Sequence, residues 1–205
     1  MTQAPGTHWD QVYSSKAPTA VSWYEAKPAE SLALIRDSGV TAADPIIDVG
    51  AGASLLVDEL LDAGFSDLTV LDVSAAALAT LRERLGTRGQ SVTFLESEVT
   101  AFRPERQYAL WHDRAVFHFL IEAEKRRQYA DALRAALRRD GRAVIATFGP
   151  SGPERCSGLP TARYDADGLS AQFSGVLDLV HSRIAVHHTP WNTEQQFLYC
   201  LFRRV

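Results

Sequence analysis

The sequence is poor in cysteine, with only Cys156 and Cys200 among 205 residues. Small secreted proteins that depend on disulfides carry several cysteines at short spacings, and two distant cysteines form no such framework. We therefore expect a cytoplasmic protein with reduced thiols. The neighbouring histidines, His187 and His188, have no companion ligands at metal spacing, so we expect no metal site.

Long apolar runs and basic stretches are also missing. No run reaches the roughly 18 apolar residues of a membrane span, and residues 1–6 have neither the basic nor the apolar part of a secretory signal. The net charge is −4 and the arginines are mostly scattered, whereas strong binding of nucleic acid requires a basic face. We expect neither a membrane nor a nucleic acid as partner.

What is present is enough apolar sequence for one domain. Hydrophobic residues make up 46% of the chain, which suits one sizeable core and leaves no room for a second of similar size. We predict a single domain over residues 1–205, with a lid or helical segment at 1–40 and a core at 45–205. A monomer is expected, with a dimer as the alternative.

Strand and helix patterns alternate along the core. This order predicts an α/β fold, a Rossmann-like, doubly wound and mostly parallel seven-stranded sheet with an antiparallel C-terminal strand pair. The predicted strands cover 46–49, 68–71, 92–95, 108–111, 142–148, 177–186 and 196–203. The predicted helices cover 28–36, 55–61, 75–85, 122–139 and 167–173. Residues 149–163 are predicted to form a long loop, which is often functional.

The central motif is the segment 45–54, PIIDVGAGAS. A buried strand runs into a turn that contains Gly50 and Gly52, and a helical pattern follows. Glycine lets a ligand approach the backbone closely, and the start of the helix offers free N–H groups. A glycine-rich turn alone is a weak signal, because ordinary tight turns use the same residues.

An acidic residue at the end of the second strand makes the signal stronger. Asp72 follows Gly50 by 22 residues, close to the roughly 20-residue spacing at which a carboxylate meets the ribose of a bound nucleoside. A dinucleotide would require a third glycine where Leu55 stands. Asp48 would repel a pyrophosphate but attract the sulfonium and ammonium groups of S-adenosylmethionine. The sequence therefore favours S-adenosylmethionine as the cofactor.

With these motifs, the chain resembles the class I S-adenosylmethionine-dependent methyltransferases. The resemblance implies that Asp48 faces the methionine end, that Asp72 binds the ribose, and that Glu98 binds the adenine amine. Ser54 stands where the family often has a third glycine. The implied cofactor site comprises Trp23, Tyr24, Asp48, Gly50, Ala51, Gly52, Asp72, Val73, Glu98, Val99 and His112.

A narrower resemblance is to the thiopurine and tellurite methyltransferase-like branch. It rests on the segment 111–118, WHDRAVFH, on the segment 126–129, RRQY, and on the N-terminal Trp…Pro…Ser-Trp-Tyr pattern. The resemblance implies a small acceptor, often with sulfur or another chalcogen, and an N-terminal segment that folds over the donor. The end of the fourth strand is only loosely similar to the Asp-Lys-Gly pattern of small protein-lysine methyltransferases.

Three residues near the fourth strand are catalytic candidates. Asp113 is a candidate base or acceptor-orienting group, with an ion pair to Arg114 or another basic neighbour as the alternative. Arg114 is a candidate for binding an anionic acceptor group. His118 is a candidate proton carrier, or a packed histidine among phenylalanines. Cys156 and Tyr164 are candidate acceptor contacts, although a lone loop cysteine is usually incidental.

These observations predict methyl transfer from S-adenosylmethionine to sulfur, nitrogen or oxygen of a small molecule. The alternatives are a protein-lysine methyltransferase and a regulator that binds the donor without turnover. All three require that Asp72 and Glu98 face one cleft. They also require that the space over Gly50 is free of side chains.

Overall fold

A computed structural model describes residues 5–205 and shows one seven-stranded sheet with helices on both faces. The strands are β1 Ile46–Val49, β2 Leu68–Asp72, β3 Val92–Glu96, β4 Tyr108–Arg114, β5 Leu137–Phe148, β6 Arg155–Cys156, β7 Leu159–Pro160, β8 Leu177–His188 and β9 Glu194–Arg204. The helices are α1 Pro5–Ser15, α2 Ala29–Asp37, α3 Leu56–Asp62, α4 Ala75–Leu85, α5 Ala123–Ala136 and α6 Ala166–Ala171.

The sheet has the order β3-β2-β1-β4-β5-β9-β8. Strands β1 to β5 pair in parallel, while β9 pairs antiparallel with both β5 and β8. The predicted fold class is confirmed. The chain places β2 on one side of β1 and β4 on the other, so the strand order reverses between β1 and β4. In open sheets of this kind, ligands bind at the carboxyl ends of the strands at this reversal.

Local sequence explains where several elements begin and end. The Ser74 side chain accepts a hydrogen bond from the Ala77 N–H and caps α4, which ends at Gly86 with φ of 55°. Asp165 caps α6 in the same way through the Gly168 N–H. All residues of β1 and β2 are buried, as expected for central parallel strands covered on both faces.

Several predicted boundaries are wrong, among them the start of β5, which lies at Leu137 rather than 142. Strand β4 continues to Arg114 rather than ending at 111, because residues 110–114 pair with β5 and, over part of their length, with β1. Helix α5 ends at Ala136 rather than 139, because Leu137 already pairs with Tyr108 at the start of β5. The loop at 149–163 contains the two-residue strands β6 and β7. Within residues 5–205, no helix is long and apolar enough to cross a membrane.

Candidate functional site

A narrow cavity of about 50 Å³ lies at the carboxyl ends of β1 and β4. It is closed by α1, by residues 18–28 and by the start of α2. Six of the predicted cofactor residues line it: Trp23, Tyr24, Asp48, Gly50, Ala51 and His112. Arg114 lines it as well. The structure thus brings the glycine turn, the N-terminal aromatic residues and part of β4 together at the reversal of the strand order.

Asp48 and His112 form a buried pair on neighbouring strands. They lie opposite each other in the β1–β4 register, and His112 Nδ1 is 2.6 Å from Asp48 Oδ1. His112 Nε2 is 2.9 Å from Ser31 Oγ on α2. Among the described residues, the other oxygen of Asp48 is buried and has no hydrogen-bond partner. It is therefore available to a cationic group in the cavity.

The glycine turn has the conformation that the motif predicts. Gly50 and Gly52 have φ of 65° and 55°, which disfavours a side chain. A Cβ at Gly50 would collide with the Val116 side chain, and one at Gly52 with the Tyr13 hydroxyl. The expectation that the space over Gly50 is free of side chains is wrong. The turn after β4 directs Val116 towards Gly50, and α1 places Tyr13 over Gly52.

Asp72 is buried beneath α1 at the end of β2. Its two oxygens accept hydrogen bonds from the Gly52 and Ser74 N–H groups, each at 2.8 Å. Burial raises the pKa of Asp72 to about 6, although these bonds act in the opposite direction. Asp10 on α1 accepts hydrogen bonds from the Ser74 hydroxyl at 2.7 Å and from the Ala76 N–H at 3.2 Å. Helix α1 therefore covers the predicted ribose site.

The predicted adenine and ribose residues do not line the cavity. Glu98 is half-buried and accepts a hydrogen bond from the Thr100 hydroxyl at 2.9 Å. Val99 is buried in the core. Val73 lies against Gly6 of α1. The expected cleft shared by Asp72 and Glu98 is not part of this cavity.

Arg114 anchors the N-terminal segment to the sheet. Its guanidinium donates to the Trp23 carbonyl and to the Tyr199 hydroxyl, both at 3.0 Å. It also pairs with Glu25 at 3.0 Å and stacks on the Phe197 ring. The ion partner of Arg114 is thus Glu25 and not Asp113.

The geometry argues against catalytic roles for Asp113 and His118. Side chains alternate along a strand, so Asp113 points away from the face that carries His112 and Arg114. Its carboxylate accepts hydrogen bonds from the Val116 and Phe117 N–H groups and from the Tyr129 hydroxyl. Burial raises the pKa of Asp113 to about 6. This carboxylate holds the turn in which Ala115 has φ of 73°.

His118 is fully buried and packs against Phe119 and Phe148. Its Nδ1 accepts a hydrogen bond from the Phe148 N–H at 3.2 Å. Burial lowers the pKa of His118 to about 3, so the ring stays neutral at physiological pH. A proton carrier near neutral pH would need the opposite environment.

The two predicted acceptor contacts are also buried and lie outside the cavity lining. The Cys156 thiol is 3.8 Å from the Ser22 hydroxyl, and burial raises the pKa of the thiol. Tyr164 packs against the Phe117 ring with centroids 5.8 Å apart. Neither is placed to touch an acceptor in this arrangement. Within residues 5–205, no group of three or more potential ligands is placed to hold a metal ion.

A second, open groove of about 480 Å³ runs between residues 19–30 and the end of β8. Tyr24 and Glu25 line both the groove and the cavity. His187, on the far wall, donates from Nε2 to the Ser22 carbonyl at 2.7 Å. Its Nδ1 is 3.6 Å from Glu25. Burial raises the pKa of Glu25, against the effect of Arg114. A half-buried carboxylate thus separates two spaces.

Tyr13, Glu25 and Ser31 line the cavity and were not predicted as functional. Helical spacing was a usable signal for Tyr13, because Trp9 and Tyr13 are four residues apart and so share a helix face. No sequence signal links Ser31 to His112, which lie on different elements and 81 residues apart.

Residues 47–143 match the family model for a methyltransferase domain. Over this part, the chain is similar to a methyltransferase domain. The fold described above is shared with solved S-adenosylmethionine-dependent methyltransferases.

Several known proteins are similar to this chain. The mouse eEF1A lysine and N-terminal methyltransferase is 22% identical over 58% of this chain and 17% of its own length. The Xenopus laevis protein of that name is 30% identical over 45% and 13%. The chain therefore spans less than a fifth of these curated relatives.

Solved structures share the fold over nearly the whole chain. One, from work on the conversion of a disulfide into a thioacetal during echinomycin biosynthesis, has a TM-score of 0.80 and 19% identity, covering 97% of this chain and 92% of that one. The N-methyltransferase NodS from Bradyrhizobium japonicum, in complex with S-adenosylhomocysteine, has a TM-score of 0.73 and 16% identity over 96% and 98%.

The residues of the site fit S-adenosylmethionine at its methionine end. The glycine turn would admit a ligand against the backbone, and the free oxygen of Asp48 suits an ammonium group. The space does not fit a whole nucleoside, since ligand sites span roughly 300–1,000 Å³ and this cavity is about 50 Å³. Tyr13 and Val116 must move before the adenosine part can enter over Gly50 and Gly52.

Proposed function

We propose that this protein transfers a methyl group from S-adenosylmethionine to a nucleophilic atom of a small molecule. The observation that carries the proposal is the wall shared by Tyr24 and Glu25, which separates the cavity at the glycine turn from the groove beside β8. Donor and acceptor would meet at this wall.

On the donor side, the chain offers backbone and carboxylate groups. When bound, S-adenosylmethionine supplies a methyl carbon that a positively charged sulfur activates. Asp48 would hold its ammonium group, and the backbone from Gly50 to Gly52 would lie against it. Trp23 and Tyr24 present aromatic rings that stabilise a cation. Asp72 would reach the ribose only after α1 shifts.

On the acceptor side, the groove has the size of a small-molecule site, since such sites measure roughly 300–1,000 Å³. Holding two reactants in line removes up to about 7–11 kcal/mol of the barrier. Glu25 is the group best placed to take a proton from the nucleophile, because burial raises its pKa and it lies at the shared wall.

The nature of the acceptor atom is a finer proposal. The structure from work on a disulfide-to-thioacetal conversion concerns sulfur, whereas NodS is an N-methyltransferase. We propose sulfur or nitrogen as the acceptor atom. The resemblance to the thiopurine and tellurite methyltransferase-like branch is the reason for including sulfur. The buried position of Cys156 gives no support to binding of a thiophilic acceptor at that residue.

A protein substrate is the second candidate. It is favoured by one observation, the similarity of this chain to lysine and N-terminal methyltransferases. The groove is open enough for a lysine side chain to enter. Incubation of the protein with cell lysate and tritiated donor separates the candidates, because label on small metabolites alone excludes the protein substrate.

Calorimetry with S-adenosylmethionine and S-adenosylhomocysteine tests the donor, and a panel of thiols and amines tests transfer. We expect binding of both nucleosides and transfer that falls at least tenfold in Glu25→Gln. Glu154→Gln, an exposed carboxylate away from both spaces, is the control. Absence of binding, with binding of a nicotinamide nucleotide instead, would refute the proposal. Donor binding without any methylated product would favour the alternative of a regulator that binds the donor without turnover.

We further propose that the chain works as a single-domain monomer in the cytoplasm. Both cysteines are free and buried, which suits a reducing compartment. Light scattering of the purified protein checks the monomer, and a molar mass twice that of the chain would contradict it.

A further inference from the structure

A chain of hydrogen bonds joins three elements along the wall of the cavity. It runs from Ser31 on α2 through His112 on β4 to Asp48 on β1. We infer that Ser31 and His112 are positioning residues, which aim the free oxygen of Asp48 at the ammonium group of the donor. The inference rests on the proposed function and adds two residues that determine how the amino-acid end of the donor is recognised.

The geometry leaves one direction open for Asp48. All three side chains are buried, with exposed fractions of 1% for Ser31, 3% for His112 and 4% for Asp48. The short His112–Asp48 bond occupies Oδ1, and Oδ2 has no partner within the described residues. All three residues line the cavity. A carboxylate held by one oxygen cannot rotate freely, so its second oxygen keeps a fixed direction.

The Nδ1–H tautomer of a neutral imidazole can make both hydrogen bonds of His112. In that tautomer Nδ1–H donates to Asp48, and Nε2 accepts a hydrogen bond from the Ser31 hydroxyl. Because the Asp48 carboxylate only accepts, it requires the proton on Nδ1, and the Ser31 hydroxyl then holds the ring by donating to Nε2. The neighbouring cation, Arg114, is paired with Glu25, so Oδ2 of Asp48 is left to a ligand.

The size and charge of the cavity point to a small cationic group. The cavity, of about 50 Å³, has room for a small group but not for a whole nucleoside. A primary ammonium is such a group and carries N–H donors for Oδ2. Charge-assisted hydrogen bonds of this kind are among the strong ones.

Two ligands separate this role from a merely structural one. S-adenosylhomocysteine carries the ammonium group, and 5′-methylthioadenosine lacks the whole amino-acid end. We expect Ser31→Ala to weaken binding of S-adenosylhomocysteine about tenfold, because a misdirected Asp48 Oδ2 loses its charge-assisted hydrogen bond to the ammonium group. Binding of 5′-methylthioadenosine should change less than about twofold. Calorimetry measures both dissociation constants.

Further variants test the order of the hydrogen bonds from Ser31 through His112 to Asp48. His112→Asn keeps a donor near the Nδ1 position and loses the contact to Ser31, so it should resemble Ser31→Ala, and the double variant should lose no more. His112→Ala should lose more than either. Ser38→Ala is the matched control, a buried serine at the end of the same helix that bonds only to backbone groups of its own segment.

A ligand-free measurement gives a second readout. NMR of ¹⁵N-labelled histidine should show His112 as the neutral Nδ1–H tautomer in the unmodified protein and a changed Nε2 signal in Ser31→Ala. An Nε2–H tautomer in the unmodified protein would overturn the inference.

The outcomes distinguish the two levels of the proposal. Equal losses for both ligands, or no loss for either, would overturn the positioning role and leave the proposed function intact. An unmodified protein that fails to bind S-adenosylhomocysteine would overturn the proposed function and the inference with it.

Discussion

At the scale of single residues, alternation along β4 decides which side chains face the cavity. His112 and Arg114 share one face of the strand, and Asp113 lies on the other, where Tyr129 donates to it at 2.6 Å. The sequence predicted a strand that ended at 111, which would place all three residues after the strand. With the strand extended to 114, only two of the three can reach a ligand on the α2 side of the sheet.

Asp113 is therefore expected to stabilise the fold rather than to act on substrate. Asp113→Asn replaces one of two accepting oxygens by a donor, which leaves a backbone N–H or the Tyr129 hydroxyl without its partner. We expect a loss of about 1.5–3 kcal/mol in the free energy of unfolding, as for other hydrogen bonds to charged groups. Urea denaturation measures the loss. A stable variant that binds the donor normally but transfers no methyl group would restore the catalytic role.

His118 should make stability depend on pH in a defined direction. The pKa of His118 is lowered from 6.5 to about 3 by burial, so the unfolded chain binds a proton that the folded protein does not. The resulting penalty is absent above pH 6.5 and grows as the pH falls towards 3. The stability difference between the unmodified protein and His118→Phe should therefore shrink as the pH falls.

Urea denaturation of both proteins at pH 4, 5, 6 and 7 checks this expectation. The variant also loses the acceptor for the Phe148 N–H, so it should be the less stable protein at pH 7. A difference that is the same at every pH would show that His118 titrates alike in both states.

At the scale of elements, helix α1 controls access to the glycine turn. Tyr13 lies over Gly52, and Asp10 caps the start of α4 through the Ser74 hydroxyl and the Ala76 N–H. The rings of Trp9 and Tyr13 both pack edge-on against Trp23. These contacts must open before a nucleoside can lie along the tips of β1 and β2.

Removing the Tyr13 ring should therefore speed donor binding. If its contacts contribute about 1.4 kcal/mol to the closed arrangement, Tyr13→Ala raises the association rate of S-adenosylhomocysteine roughly tenfold. Stopped-flow tryptophan fluorescence measures the rate, because Trp23 packs against this ring and Trp9 packs against Trp23. Gln11→Ala, an exposed position on the same helix, is the control. Equal rates in all three proteins would mean that α1 does not limit entry.

Most elements could be predicted from sequence because their signals are local. The caps at Ser74 and Gly86, for example, depend only on neighbouring residues. The site was predictable where the glycine turn and Trp23 define it. Ser31 and Glu25 were not, because their places depend on how α2 and residues 18–28 pack across the strand ends. No local pattern specifies such packing.

At the scale of the whole molecule, the proposed donor and acceptor sites lie in opposite halves of the sheet. The glycine turn and Asp72 lie on β1 and β2, towards the β3 edge, while the groove lies beside β8 at the opposite edge. Residues 19–30 cross between them and are held to β4 by Arg114, which also donates to Tyr199 on β9. Donor and acceptor are thus expected to enter from different sides.

Blocking the groove should therefore stop transfer without affecting the donor. Ala29 is exposed, lies at the start of α2 and lines the groove but not the cavity. Ala29→Trp should leave the dissociation constant of S-adenosylhomocysteine within about twofold and lower kcat/KM for the acceptor at least tenfold, about 1.4 kcal/mol. Ala171→Trp, an exposed position on α6, is the control. If Ala29→Trp weakens donor binding as strongly as it lowers transfer, both ligands use one entrance, and the division of the sheet into a donor half and an acceptor half is wrong.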